Sequence, residues 1–363
     1  MSEENDMGTP TPITGLGIDP TPVEQPVEEP GHGLPAPQNL GWVNDPEAVD
    51  EIASLQTFGA FADTPAGEVS LADLPPEVFI WKIHKLVTGK DPDEENQGNY
   101  GSCVGFGTVA AVEASMVMQI YSGAHEEWKE LCQEVVYGGS RIEIGKGRLG
   151  RSQGSIGAWA AEYVKQYGIL PRGKYGSYDL SKYSIPLCDQ FGNKGVPDDL
   201  EKISKVNPVQ EITKVKTWED AKKALAQGYG IAICSNRGFT TMKRDEYGFC
   251  KASGKWAHCM ALWGYQTGPR EGGWIKNSWG PNATTGPRGA GEPPLCGFWA
   301  EASVIDGMLR QGDSWAFSSV KGFPKQKVDV IDWSSLEEST HVIALSEFVS
   351  PGRIVVNARQ DSR

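Results

Sequence analysis

The chain has 363 residues, 39% of them hydrophobic, and a formal net charge of −13 at neutral pH. This hydrophobic content suits a globular core, and the acidic balance argues against a dedicated nucleic-acid binder and against a cationic membrane-surface protein. No run of 18 apolar residues occurs, so we predict no membrane-spanning segment.

The N-terminal region is acidic and rich in proline. Residues 1–81 contain 15 acidic residues and no lysine or arginine, and residues 1–40 contain eight prolines. Proline disfavours helices and central strands, so we predict an acidic N-terminal arm over residues 1–73 that is extended over its first 40 residues. Its later part offers the side chains of Trp42, Leu55, Phe58 and Phe61 for docking on another surface. We expect a protein assembly partner for this arm.

Residues 74–325 have the pattern of one folded domain. Residues 103–121 are apolar nearly all round and predict a buried helix, and further helices are predicted at 127–137, 156–168 and 217–227. Strand-like runs follow at 228–235, 255–267 and 272–279. Helices first and strands later predict an α+β fold with two half-domains that meet at a cleft. Residues 326–363 are predicted to be a C-terminal extension with β-prone runs at 341–345 and 353–357.

The cysteines and the N-terminus indicate a reducing environment. The chain has seven cysteines, widely spaced, with no CxxC pair, so a zinc knuckle and a thioredoxin motif are excluded. The first residues lack the basic start and apolar stretch of a secretory signal. We therefore expect reduced thiols and cytoplasmic synthesis, and we predict no cofactor and no metal.

Four residues far apart in the chain suggest covalent catalysis. Cys103 opens the apolar helix, where the positive end of the helix dipole favours a thiolate, although a buried inert cysteine is the common alternative. His258 is the histidine that lies inside an apolar strand, and Asn277 ends the next strand. Together they supply a nucleophile, a base and a group that orients the base. Gln97, six residues before Cys103, could donate to an oxyanion together with the backbone N–H of Cys103.

These motifs resemble the papain-like cysteine peptidases. The blocks NQG (96–98), GSC (101–103), His258 and KNSWG (276–280) occur in the family's order, and residues 152–169 resemble a further family helix. The resemblance implies a two-lobed fold, with a helical left lobe around a long central helix and a β-barrel-like right lobe. It also implies that Cys103 is the nucleophile, His258 the base and later acid, and Asn277 the group that orients His258. Gln97 and the N–H of Cys103 would form the oxyanion hole.

The resemblance also implies a polypeptide substrate, bound by Gly154, Ser155, Cys259 and Trp279, with Trp279 shielding the His258–Asn277 hydrogen bond. The sequence departs from the family where Tyr100 and Ser152 replace both ends of a disulfide, and where Ser155 replaces a glycine on the substrate-binding rim. Family proenzymes carry a helical inhibitory prosegment. Residues 1–73 contain too many prolines for one, so we expect a linker, an anchor or an assembly arm there.

Three functions follow as hypotheses. The first is a cysteine peptidase that works through a thiolate–imidazolium pair and a thioester. The alternative is a structural or assembly protein on a peptidase scaffold with reduced or no activity, for example a virion component of bacteriophage or bacterial origin. The third is a related acyl-transfer enzyme that acts on a non-peptide amide.

Overall fold

The structure, a computed structural model, describes residues 41–124, 127–205, 209–239, 242–268 and 270–326. The proline-rich residues 1–40 and both β-prone runs of the C-terminal extension lie outside the described residues. All described residues fall within the compact unit Leu34–Arg363.

Helices make up most of the first half of the described chain. They are α1 (Pro46–Ser54), α2 (Ile80–Thr88), α3 (Cys103–Tyr121), α4 (Gln133–Gly139), α5 (Gly157–Tyr167), α6 (Ile185–Lys194), α7 (Asp198–Ser204), α8 (Trp218–Ala226) and α9 (Ala302–Leu309). Single 3-10 turns lie at Phe61–Asp63, Ala66–Glu68 and Leu71–Asp73, and a π turn at Ser140–Ile144 follows α4 directly. Side-chain caps explain several of the starts: the Asp45 side chain accepts from the N–H of Ala48 at α1, and Thr217 accepts from the N–H of Asp220 at α8.

Helix α3 is the centre of the core and spans the residues predicted for it. Its length and apolar composition would also suit a membrane span, but the whole hydrophobic window is buried inside the protein. Gly107 lets α3 lie directly on strand residues 259–260, because a Cβ there would collide with Cys259 and the Met260 carbonyl. This close contact fixes the start of α3 against the strand that carries His258.

Helix α4 begins later than the sequence predicts. The predicted helix covers residues 127–137, whereas Leu131 forms a bridge with Pro171 and donates its N–H to Glu113 at 3.1 Å. This non-local pairing holds the chain extended, so the helix starts at Gln133. Helix α5, predicted over 156–168, lies within one residue of that range at each end.

The strands form an open antiparallel sheet. They are β1 (Glu77–Phe79), β2 (Lys174–Tyr175), β3 (Tyr178–Asp179), β4 (Glu211–Lys214), β5 (Ile231–Arg237), β6 (Lys255–Gln266), β7 (Gly272–Lys276), β8 (Gly297–Glu301) and β9 (Ser314–Ser318). The main sheet has the order β4-β9-β5-β6-β7-β8 with β1 also on β6, and β2 pairs with β3 separately. The α+β class is confirmed, but within the described residues the sheet is not closed, so the expected barrel-like lobe is corrected to an open sheet. Its two end strands, β4 and β8, do not pair with each other.

Residues 41–73 share the core of the domain instead of forming a separate arm. The side chain of Gln56, which follows α1, donates to Glu162 of α5 at 2.9 Å and accepts from Lys165 of α5 at 2.6 Å. Phe61 is fully buried and packs edge-on against Tyr229. Leu55, a predicted docking residue, is instead 64% exposed. The acidic region therefore contributes apolar side chains to the same hydrophobic core as α3 and the sheet.

Candidate active site

Cys103 is the first residue of α3 and is completely buried. Burial raises the pKa of the Cys103 thiol well above its ordinary value, although backbone N–H groups of Cys259 and Val104 act in the opposite direction. In this closed state burial outweighs the helix dipole. The thiol is therefore protonated here, in contrast to the thiolate expected from the sequence.

His258 lies on β6 and is oriented by Asn277, which follows β7. The His258 Nε2 atom and the Asn277 Oδ1 atom are 2.8 Å apart, and the same oxygen accepts from the N–H of Ser278 at 2.8 Å. An amide oxygen requires a donor, so Nε2 carries the proton and Nδ1 is the basic nitrogen of the neutral ring. Burial lowers the pKa of His258 to about 4, opposed by the hydrogen bond with Asn277. Trp279 stacks on the imidazole with ring centroids 4.7 Å apart.

The Cys103 sulfur lies next to the residue that follows His258, but it makes no hydrogen bond with the imidazole. The thiol of Cys103 lies beside the backbone N–H of Cys259, one residue from His258. The Nδ1 atom of His258 makes no hydrogen bond to any described residue. The closed state thus holds a neutral thiol and a neutral imidazole, and the thiolate–imidazolium pair is not formed in it.

Gln97 is held by pairing between its loop and the loop after β7. Its backbone N–H donates to the Ser278 carbonyl at 2.8 Å, and the N–H of Gly280 donates to the Glu95 carbonyl at 2.8 Å. The Gln97 side-chain oxygen accepts from the Ser278 hydroxyl at 2.6 Å, and its Nε2 donates to the Tyr100 carbonyl at 2.9 Å. The amide donor is therefore aimed at the loop that leads into Cys103.

A buried ion pair supports these two loops. The Nζ atom of Lys276 lies 3.7 Å from Glu95, and both side chains are largely buried. Burial lowers the pKa of Lys276, but the Glu95 and Glu113 carboxylates outweigh it and raise that pKa overall. Because Lys276 precedes Asn277 and Glu95 lies two residues before Gln97, the pair ties the base-orienting loop to the Gln97 loop.

Residues 41–43, which we name the cleft segment, lie along Ser155 and Ala257. The N–H of Ser155 donates to the Gly41 carbonyl at 2.8 Å, and the N–H of Val43 donates to the Ser155 carbonyl at 2.8 Å. The N–H of Trp42 donates to the carbonyl of Ala257, the residue before His258, at 3.2 Å. An extended piece of the chain itself therefore fills the place where Ser155 was predicted to pair with substrate.

The indole of Trp42 enters a pocket with a buried carboxylate at its base. Its Nε1 atom donates to Asp313 at 2.7 Å, and the same carboxylate accepts from the N–H of Gly157 at 2.8 Å and from Trp315 Nε1 at 2.8 Å. Burial raises the pKa of Asp313, and these hydrogen bonds oppose the rise. Trp42 and Asp313 are 3% and 1% exposed, so the pocket is closed from solvent.

Two predicted binding residues remain. Gly154 lies against the cleft segment, because a Cβ there would come within 2.8 Å of the Gly41 carbonyl oxygen, and its N–H donates to the hydroxyl of Tyr137 at 3.1 Å. The sulfur of Cys259 lies beside Gly107 of α3, and its place near the specificity pocket stays a prediction. The residue at the base of the Trp42 pocket is Asp313, which no sequence motif indicated. Trp42 had a detectable signal, because it is the sole tryptophan in the first 80 residues.

Comparison with known proteins agrees with this arrangement. Residues 81–287, more than half of the chain, match the papain family of cysteine proteases. The chain therefore belongs to that family. No curated protein matches the sequence, and a bacteriophage or bacterial origin stays a prediction.

Solved structures with a similar fold come from several kingdoms. The proform of the Amb a 11 cysteine protease, a ragweed pollen allergen, is 18% identical with a TM-score of 0.50, over 75% of this chain and 73% of that one. Xylellain, a cysteine protease from Xylella fastidiosa, is 17% identical with a TM-score of 0.49, over 77% and 91%. Digestive procathepsin L 3 of Tenebrio molitor is 15% identical with a TM-score of 0.48, over 75% and 79%. At these identities the likeness concerns the fold alone.

Proposed function

We propose that the protein is a latent cysteine peptidase of the papain type, with Cys103 as nucleophile, His258 as base and Asn277 as the group that orients it. The observation that carries the proposal is the Nε2–Oδ1 hydrogen bond of 2.8 Å. This bond leaves the basic Nδ1 of the buried imidazole without a partner among the described residues. The next residue, Cys259, has its backbone N–H beside the Cys103 sulfur. A core histidine with a purely structural role would normally have both ring nitrogens satisfied.

The proposed reaction begins when the cleft segment leaves. Water then reaches the site, and rotation of the Cys103 side chain about its Cα–Cβ bond brings the thiol to Nδ1 of His258, which takes its proton. The thiolate attacks the scissile carbonyl carbon, and the backbone N–H of Cys103 and the amide of Gln97 stabilise the oxyanion. His258 gives its proton to the leaving amine, and water, deprotonated by His258, hydrolyses the thioester. The products are an acid, an amine and the restored thiol.

Latency follows from the occupancy of the cleft. Three backbone hydrogen bonds and the Trp42–Asp313 bond hold the cleft segment along Ser155 and Ala257. A substrate that pairs with Ser155 must displace this segment. Residues 1–73 are expected from the sequence to be a linker, an anchor or an assembly arm. For residues 41–43 we propose an inhibitory role instead, one that needs no helical prosegment.

The test uses the full-length chain with Trp42→Ala, which empties the pocket over Asp313. We expect this variant to hydrolyse fluorogenic peptide amides, to be labelled at Cys103 by a cysteine-directed epoxide, and to lose cleavage once labelled. Cys103→Ala in the same background is the matched control and should be inactive. Cleavage that persists in the control, or labelling of other cysteines with activity intact, would contradict the proposal.

The non-catalytic alternative also has an observation in its favour. Cys103 is fully buried, and no hydrogen bond within the described residues joins its sulfur to His258. A protein that uses the peptidase fold as a scaffold would keep this closed state permanently. In that case Trp42→Ala would expose Cys103 to alkylation without any cleavage of peptides, and Cys103→Ala would leave assembly unchanged.

A further inference from the structure

The residues that pair with the cleft segment lie in a loop and not in one of the β-strands. Ser155 makes an isolated bridge with Trp42, and the loop before it turns at glycines with positive φ, including Gly150 and Gly154. A loop of this kind needs other contacts to hold its N–H and carbonyl groups at a fixed height over the cleft. Those contacts come from the side behind Ser155.

Arg141 supplies most of these contacts. Its guanidinium donates to the carbonyl of Gly154, to the carbonyl of Gly150 at 2.8 Å and to the carbonyl of Gly192 at 2.8 Å. Gly192 belongs to α6, so one side chain joins the loop to a helix as well as to itself. The N–H of Gly154 is bound by the hydroxyl of Tyr137, so both backbone groups of Gly154 face away from the cleft and those of Ser155 face into it.

Two further hydrogen bonds fix the same loop. The side chain of Gln153 accepts from the N–H of Gly101 at 2.7 Å, and the hydroxyls of Ser140 and Ser155 are 2.7 Å apart. Gly101 lies two residues before Cys103, so its hydrogen bond with Gln153 also fixes the position of the loop relative to the candidate nucleophile. Tyr100 and Ser152, the residues that replace the two cysteines of the family, flank this connection.

The surroundings of Arg141 indicate a specific role. The residue is 3% exposed, and its three guanidinium nitrogens donate to carbonyl oxygens. Besides these carbonyl oxygens, the guanidinium lies over the Tyr137 ring, 5.4 Å from its centroid. A lysine could not reach three carbonyls in one plane. Arg141 also lies on the π turn after α4, closed by a bond from the N–H of Gly145 to the Ser140 carbonyl at 2.9 Å. Such turns often occur at functional sites.

We propose that Arg141 is a positioning residue, whose guanidinium holds the Gly154 carbonyl so that Ser155 can pair with an extended peptide. This inference rests on the proposed peptidase function, because it assigns Ser155 to substrate. It predicts that loss of the guanidinium fork weakens binding of any chain that pairs with Ser155, whether substrate or cleft segment. The chemistry at Cys103 and His258 is expected to be unaffected.

The first experiment compares Arg141→Lys with Arg172→Lys in the Trp42→Ala chain. Arg172 is the control because its buried guanidinium also packs on α4, through Glu134, without touching the loop. We expect Arg141→Lys to raise KM for a hexapeptide amide about tenfold, as loss of one charge-assisted hydrogen bond would, with kcat within about twofold. Hydrolysis of p-nitrophenyl acetate, which has no peptide backbone, should not change. Equal KM values, or the same rise in Arg172→Lys, would overturn the assignment.

The second experiment does not depend on catalysis. In the Cys103→Ala chain with Trp42 intact, amide hydrogen exchange at Val43 and Ser155 reports the pairing of the loop with the cleft segment. Arg141→Lys should accelerate both amides about tenfold, while Arg172→Lys leaves them unchanged. Wild-type exchange in Arg141→Lys, or equal acceleration in the control, would refute the role of Arg141. If the Trp42→Ala chain never cleaves peptides but Arg141→Lys still changes the exchange rates in this way, the peptidase function is refuted and the positioning role of Arg141 is retained.

Discussion

The hydrogen bond between Trp42 and Asp313 should control access to the candidate nucleophile. Trp42→Phe removes the indole N–H and leaves the three backbone hydrogen bonds of the cleft segment in place. The bond joins two buried groups at 2.7 Å, and hydrogen bonds to charged groups contribute about 1.5–3 kcal/mol. Its loss therefore shifts the equilibrium between the seated and displaced segment by roughly 10- to 150-fold.

The assay is the rate of iodoacetamide labelling at Cys103, read by peptide mass mapping. When opening is fast, this rate follows the population of the open state, so we expect labelling to accelerate at least about tenfold. All seven cysteines are buried, so labelling of Cys132 in the same sample reports global unfolding. It should stay at the wild-type rate.

Trp315→Phe is the matched control, because Trp315 donates to the other oxygen of Asp313 at 2.8 Å but lies outside the cleft segment. It should not accelerate labelling of Cys103. A double-mutant cycle of Trp42→Phe with Asp313→Asn should show non-additive effects. The reasoning fails if Trp42→Phe labels at the wild-type rate, or if Trp315→Phe accelerates labelling equally.

Three further predictions concern the groups around the candidate site. Burial lowers the pKa of His258 to about 4, so the unfolded chain binds more protons between pH 6.5 and 4. The stability that this group contributes is therefore lost as the pH is lowered through this range. Urea unfolding at pH 7.5 and 4.5 should show the wild type losing about 2–3 kcal/mol more unfolding free energy than His258→Gln, and equal losses would count against the burial of a neutral imidazole. Lys276→Met leaves Glu95 buried without its ion-pair partner and should cost about 3–5 kcal/mol of unfolding free energy; adding Glu95→Gln should recover part of this loss, and a neutral single variant would contradict the structural role of the pair. Asn277→Ala in the Trp42→Ala chain should lower kcat roughly 100-fold without changing the melting temperature of the core by more than a few degrees, and unchanged kcat would exclude it as the residue that orients His258.

Residue-level patterns predicted much of the fold and the relation between the four candidate residues. The apolar runs of α3 and β6 are local features, and both elements occupy the predicted positions closely. His258 and Asn277 could be paired from sequence because His258 lies on β6 and Asn277 directly follows β7, the next strand of the same hairpin. The start of α4 could not be predicted, since a bridge to Pro171 and a buried glutamate decide it.

Periodicity and composition alone determined that this chain folds as an α+β domain and that a cysteine begins its central helix, because both properties depend on residues that are neighbours in the sequence. Only the tertiary structure decided that the sheet stays open within the described residues, that Trp42 lies over Asp313, and that Arg141 holds the loop before Ser155. Each of these depends on contacts between residues distant in the chain. The protonation of Cys103 belongs to the same group: the helix start favours a thiolate, but the burial created by the cleft segment and the core favours the thiol.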